Sequence, residues 1–101
     1  MKLGNRIKEL RESQGLLQRQ LSAQLEIDTP MFSKIERGER RAKREQVLKI
    51  AKLLKTDEKE LLALWLGDQI MEIVTDEEQA LQALRMATND IKENNKNKDS
   101  E

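Results

Sequence analysis

Cysteine and histidine are both absent from the 101 residues. Their absence excludes a disulfide scaffold, a Cys/His zinc site, a thiol nucleophile and an imidazole base. Proline occurs once, at Pro30. No apolar run approaches the ~18 residues of a membrane span, and the opening MKLGNRIKEL is amphipathic rather than shaped like a signal peptide. A chain of this length allows one small domain, or a compact unit with an appendage. With 37% apolar and 38% charged residues the core is small, and such cores are often completed by oligomerisation. The acid/base material is limited to carboxylates and lysines. Asp57, Glu58 and Glu60 read as a capping cluster that complements a helix dipole, with no base, nucleophile or metal spacing around them. The chain is therefore not expected to be an enzyme, to carry a cofactor or metal, to take a small-molecule ligand or to enter a membrane. The expected compartment is the cytoplasm.

What is present is charge, unevenly spread. Net charge is zero, but residues 1–45 hold 11 Lys/Arg against 7 Asp/Glu, and residues 46–101 hold 8 against 12. A basic half followed by an acidic half suggests two tasks on one chain. The stretch IDTPMFSKIERGERRAKR, residues 27–44, places six cations in the eleven positions from 34 to 44.

Periodicity is helical almost throughout. Leu3, Ile7 and Leu10 recur at i, i+4 and i+7 over residues 3–14, ending before Gly15. Leu21 and Leu25 share one face of a short helix over residues 18–25. Phe32 and Ile35 belong to a third helix, ending near Gly38. Val47, Ile50, Ala51 and Leu54 mark a fourth. Thr56 or Asp57 caps a fifth, in which residues 61–66 are apolar on every side and Gly67 invites a kink or break. QIMEIV, residues 69–74, has strand character but is too isolated to build a sheet. TDEE, residues 75–78, has the form of a capping box before a sixth helix carrying Ala80, Leu84, Ala87 and Ile91. The tail over residues 95–101 is polar, without periodicity, and is expected to be disordered.

Residues 18–37, QRQLSAQLEIDTPMFSKIER, form two short helices joined by a tight turn. Leu21, Leu25, Ile27, Phe32 and Ile35 line their inner faces, and the small Ser22 sits where they cross. This is the helix-turn-helix pattern. Asp28 as N-cap puts Pro30 in the first turn of the third helix, where its missing N–H is not needed. From RIKELRESQGLLQRQLS through FSKIERGER to VLKIAKLLKTDEKELL, about residues 3–64, the chain resembles the Cro and phage-repressor (XRE) family. Two positions depart from that family. Glu26 stands where the turn usually has glycine, and Ser22 replaces the crossing alanine.

The resemblance implies an all-α fold: a five-helix lambda-repressor-like domain over residues 1–66, here with an extended fifth helix. Residues 67–94 are expected to add a C-terminal helical extension for dimerisation. The resemblance further implies that the third helix enters the major groove of double-stranded DNA. Thr29, Pro30, Ser33, Lys34 and Arg37 would then face base edges, and Gln18 would clamp a phosphate. Arg40, Arg41, Lys43 and Arg44 follow directly and would lie along the backbone. Arg11 and Glu36 resemble the family's structural ion pair.

A lone unit of this size buries little DNA surface, and most such units bind palindromic operators as homodimers. Leu61 and Leu62 close the core. Trp65, Leu66, Ile70, Met71, Ile73 and Val74 are then expected to lack an internal partner and to form a two-fold interface, joined by Leu81 and Leu84 of the sixth helix. The alternative is a sixth helix folded back over Trp65 within one chain. The reading is a dimeric, autoregulatory transcriptional regulator similar to the controllers of restriction–modification systems. An antitoxin, a phage-type repressor, or a protein-interaction module without DNA binding are the alternatives.

Overall fold

The structure, a computed structural model, describes residues 1–99. Among them every regular element is an α-helix and none is a strand: α1 Lys2–Ser13, α2 Gln18–Leu25, α3 Thr29–Glu36, α4 Arg44–Leu53, α5 Glu58–Val74 and α6 Ala80–Asp99. None of these helices is long and apolar enough to cross a membrane. Two compact units are distinguished, Met1–Ile70 and the residues from Met71 onward.

The first unit is built on one core. Ile7 from α1, Phe32 from α3, Val47 and Ile50 from α4, and Leu61 from α5 are completely buried, with Leu21, Ile35, Ala51 and Leu54 beside them. These are the positions set by the 3.6-residue period, so each amphipathic helix has turned its apolar stripe inward. Burial of such side chains stabilises the fold by about 1.5–3 kcal/mol each.

Helix ends decide where the chain turns. The backbone N–H groups of Lys2 and Leu3 donate to the two carboxylate oxygens of Asp68, at 3.0 and 2.9 Å. α1 has no acidic residue in its own first turn, so α5 supplies the acceptor that its free amides and dipole require. α2 ends at Glu26, in the left-handed conformation at φ 59° and ψ 39°, which costs about 1 kcal/mol for a residue with a Cβ. Asp57 accepts from the Lys59 N–H at 3.0 Å and caps α5.

One close approach fixes how α1 lies on the end of α3. A Cβ at Gly4 would stand 2.2 Å from the Glu36 carbonyl oxygen and 2.8 Å from that of Ile35. Only glycine fits there.

Several expectations are corrected. Residues 69–74 are helical and Gly67 does not break α5. A strand needs paired neighbours to satisfy its backbone, whereas continuing an existing helix adds one hydrogen bond per residue fixed. The capping box over residues 75–78 does not form. The Thr75 hydroxyl instead donates back to the Met71 carbonyl, and α6 starts at Ala80. Residues 95–99 of the expected disordered tail continue α6, in a segment free of glycine and proline. Ser100 and Glu101 lie outside the described residues.

Two glycine substitutions are expected to move stability in opposite directions. Gly4→Ala pushes a methyl into backbone and should cost about 1–3 kcal/mol. Gly67→Ala meets nothing within 4 Å and should gain about 1 kcal/mol. Urea midpoints of the two variants check both signs.

Candidate nucleic-acid interface

The helix pair α2 and α3 is set at its turn by small contacts. Ser22 is buried, and its hydroxyl donates to the Arg19 carbonyl (3.2 Å) and lies 3.1 Å from the Thr29 hydroxyl. The Ile27 N–H reaches the Ser22 carbonyl at 3.1 Å, closing the turn through Glu26. Asp28 accepts from the Met31 N–H at 2.7 Å and so starts α3 with Pro30 in its first turn.

A charged network ties this pair to α1. Arg11 Nε and Nη2 donate to the two oxygens of Glu36 at 2.7 and 3.1 Å, while Nη1 donates to the Leu16 carbonyl at 2.8 Å. Gln18 Nε2 adds a third donor to Glu36 at 2.9 Å. Both charged residues are buried, at 8% and 4% exposure. The hydrogen bond to Glu36, and then its charge, hold the Arg11 pKa above its ordinary value. Among the described residues no buried side-chain nitrogen or oxygen lacks a partner.

With Phe32, Ile35 and Glu36 turned inward, the opposite side of α3 is open. Pro30, Lys34 and Arg37 are exposed, and Thr29 and Ser33 are half-buried. Pro30, Lys34 and Arg37 follow i, i+4, i+7 spacing and share one face. Two of the expected base-facing residues already hold each other: Arg37 Nη1 donates to the Ser33 hydroxyl at 2.6 Å. Its Nη2 donates to Glu39 at 3.0 Å. The hydrogen bond from Arg37, and then its charge, depress the Glu39 pKa below the usual carboxylate range. Gln18 sits at the first position of α2 with its amide nitrogen committed to Glu36. The residue was expected at this surface; its tether was not.

Arg40, Arg41, Lys43 and Arg44 are exposed on and beside the segment that joins α3 to α4. The Glu39 and Arg40 N–H groups both reach the Lys34 carbonyl, at 2.9 and 3.3 Å, and the Lys43 N–H donates to Gln46 at 2.8 Å. Between these ends Ala42 is buried at 3% exposure. Its carbonyl accepts the Trp65 indole N–H at 2.7 Å. The Arg44 guanidinium lies 5.3 Å from the centre of the Trp65 ring.

This corrects the expectation that Trp65 lacks an internal partner. The half-buried indole packs against the core and engages the basic segment. Leu66, Ile70, Met71 and Ile73 are exposed, as is Leu81, while Val74 and Leu84 are half-buried. Sequence reasoning missed Asp68, Glu39 and the indole contact. No local spacing signals a cap supplied from 65 residues away or a hydrogen bond to a loop carbonyl.

A family model described as a helix-turn-helix domain matches residues 2–64. Neither a curated protein nor a solved structure matches the chain.

The Arg11–Glu36 pair yields a direct expectation. Glu36→Gln leaves a buried cation without its counter-charge and should destabilise the fold by on the order of 3 kcal/mol. The double change Arg11→Met with Glu36→Leu should recover most of that loss. Urea unfolding of the three proteins measures both.

Proposed function

The chain belongs to the helix-turn-helix domain family of DNA-binding regulators, and we propose that it is a sequence-specific, dimeric transcriptional regulator that reads the major groove with α3. The observation that carries this reading is the open face of α3, with Pro30, Lys34 and Arg37 exposed beside a row of four exposed cations. On it, Lys34 and Arg37 donate to guanine O6 and N7, and Thr29 or Pro30 meets a thymine methyl. Ser33 faces the base edges beside them, and Gln18, Arg40, Arg41, Lys43 and Arg44 supply phosphate contacts. A chain of zero net charge binds a polyanion because the local field acts, not the sum.

Dimerisation is the second part of the proposal. Leu66, Ile70 and Ile73 recur at i, i+4 and i+7 along α5, and Ile73 is 76% exposed. Met71 flanks them. On α6, Leu81 is 68% exposed, with Leu84 one turn on. A second copy covering these faces removes an apolar surface of the kind that marks interfaces. It also presents two α3 helices to half-sites about 34 Å apart. Residues 1–66 then grip a palindromic operator and residues 67–94 assemble the protein. The regulatory setting proposed is the autoregulating controller of a restriction–modification system within the Cro and phage-repressor (XRE) family. Mapping the neighbouring genes tests it: a methyltransferase and a nuclease beside this gene would support the controller, and a toxin gene would assign an antitoxin role instead.

Fluorescence anisotropy on a duplex from upstream of the gene, beside a scrambled duplex, tests the DNA reading. Preference for the upstream duplex is expected to reach on the order of 10³-fold or more, with affinity rising steeply as salt falls. Lys34→Ala and Arg37→Ala should each cost about 1–3 kcal/mol and relax specificity. Absence of binding to either duplex overturns the reading. Sedimentation equilibrium should give a dimer, with Ile70→Glu/Ile73→Glu monomeric and weakened on the operator. A wild-type monomer, free and on DNA, overturns the dimer.

A further inference from the structure

The indole at position 65 packs against the core, and its N–H and its ring each meet the basic stretch as well. Its N–H donates to the Ala42 carbonyl at 2.7 Å. Its ring lies 5.3 Å from the Arg44 guanidinium carbon, within the range of cation–π attraction. The segment between α3 and α4 carries Arg40, Arg41 and Lys43 with no regular structure of its own. Its start is fixed by the Lys34 carbonyl and its end by Gln46. Trp65 holds its middle, from the part of α5 that packs on the core.

A polycationic loop that is free in solution must be ordered before it follows a phosphate backbone, and that ordering weakens binding. A loop held beforehand avoids the loss. Holding it by an indole has a further consequence for Arg44. The ring face attracts the guanidinium without neutralising it, whereas a carboxylate would compete with phosphate for the same donors. Arg37, paired to Glu39 just beyond the end of α3, illustrates the other arrangement.

We propose that Trp65 is a positioning residue for DNA binding: it pre-sets the loop through the Ala42 carbonyl and orients Arg44 for a phosphate oxygen. This rests on the DNA-binding reading above. It assigns to Trp65 a part in affinity but none in base selection, because the contacts it prepares are to the backbone.

Trp65 is the sole tryptophan, so its fluorescence is a private probe of this contact. The wild-type protein is titrated with the upstream and the scrambled duplex, following anisotropy of the labelled DNA and indole emission together. Emission is expected to change in step with binding to both duplexes. Arg44→Gln should still bind DNA but lose most of that change, and its log–log salt slope should fall by about 0.9. Trp65→Phe keeps a ring but no N–H donor. It should weaken binding to both duplexes by the same factor, about threefold to tenfold, with the ratio between them unchanged.

A merely structural tryptophan gives a different pattern. Its replacement lowers the urea midpoint but leaves affinity for both duplexes unchanged, and the emission of the wild type does not respond to DNA. Binding by wild type with no change in emission overturns the proposal, as does an undiminished change in Arg44→Gln or full affinity in Trp65→Phe. Where Trp65→Phe fails to fold, the Arg44→Gln emission decides alone. If wild type binds neither duplex by anisotropy, it is the DNA-binding reading that fails, and that outcome is distinct from the others.

Discussion

A guanidinium and a carboxylate removed from water are costly apart and tolerable only together, and this domain is arranged around one such pair. Arg11 belongs to α1 and Glu36 to α3, with Gln18 of α2 completing the acceptor's shell and the Leu16 carbonyl completing the donor's. Three helices are thereby held by groups whose separation leaves a buried charge unmet. Apolar packing alone tolerates sliding, since it is non-directional. The bidentate geometry does not. Gly4 adds a steric limit at the same end of α3, because the backbone of Glu36 occupies the space a side chain at position 4 would need. The orientation of α3 therefore follows from polar geometry and contact distance laid over a conventional core.

Legibility divides along the distance over which each feature is decided. The bounds of α2 and the start of α3 are readable because their causes lie within four residues: Asp28 caps, and Pro30 is tolerated only in a first turn. Glu26 at positive φ is likewise readable, as the price of a turn that geometry demands. Core positions follow the helical period. At the candidate interface, the residues on the open side of α3 are legible from the same period and from the resemblance to a known pattern. Their engagements are not. Whether Arg37 points to Ser33 and Glu39 depends on rotamers that no spacing encodes, and Trp65 meets Ala42 across 23 residues.

The misread segments share one physical cause. Val74 and Ile73 favour a strand locally, and Gly67 favours a break, yet both lie in a helix already nucleated and packed at Leu61. Tertiary context overrode weak intrinsic preference. At Thr75 the competing local option was the hydroxyl's own preference for a carbonyl one turn back. A capping-box pattern cannot tell these two uses of a threonine apart.

Asp68 gives the domain a temporal property. Its carboxylate accepts from the first two amides of α1, across 66 and 65 residues. Chain synthesis delivers α1 well before this acceptor, at roughly 5–20 residues per second. Until Asp68 has left the ribosome, the beginning of α1 has water where its partner should be, and the buried Leu61 is only just arriving. The nascent protein thus completes its first helix only when its fifth is nearly finished. A fragment that ends before Trp65 would carry the basic segment without the indole that meets the Ala42 carbonyl and the Arg44 guanidinium.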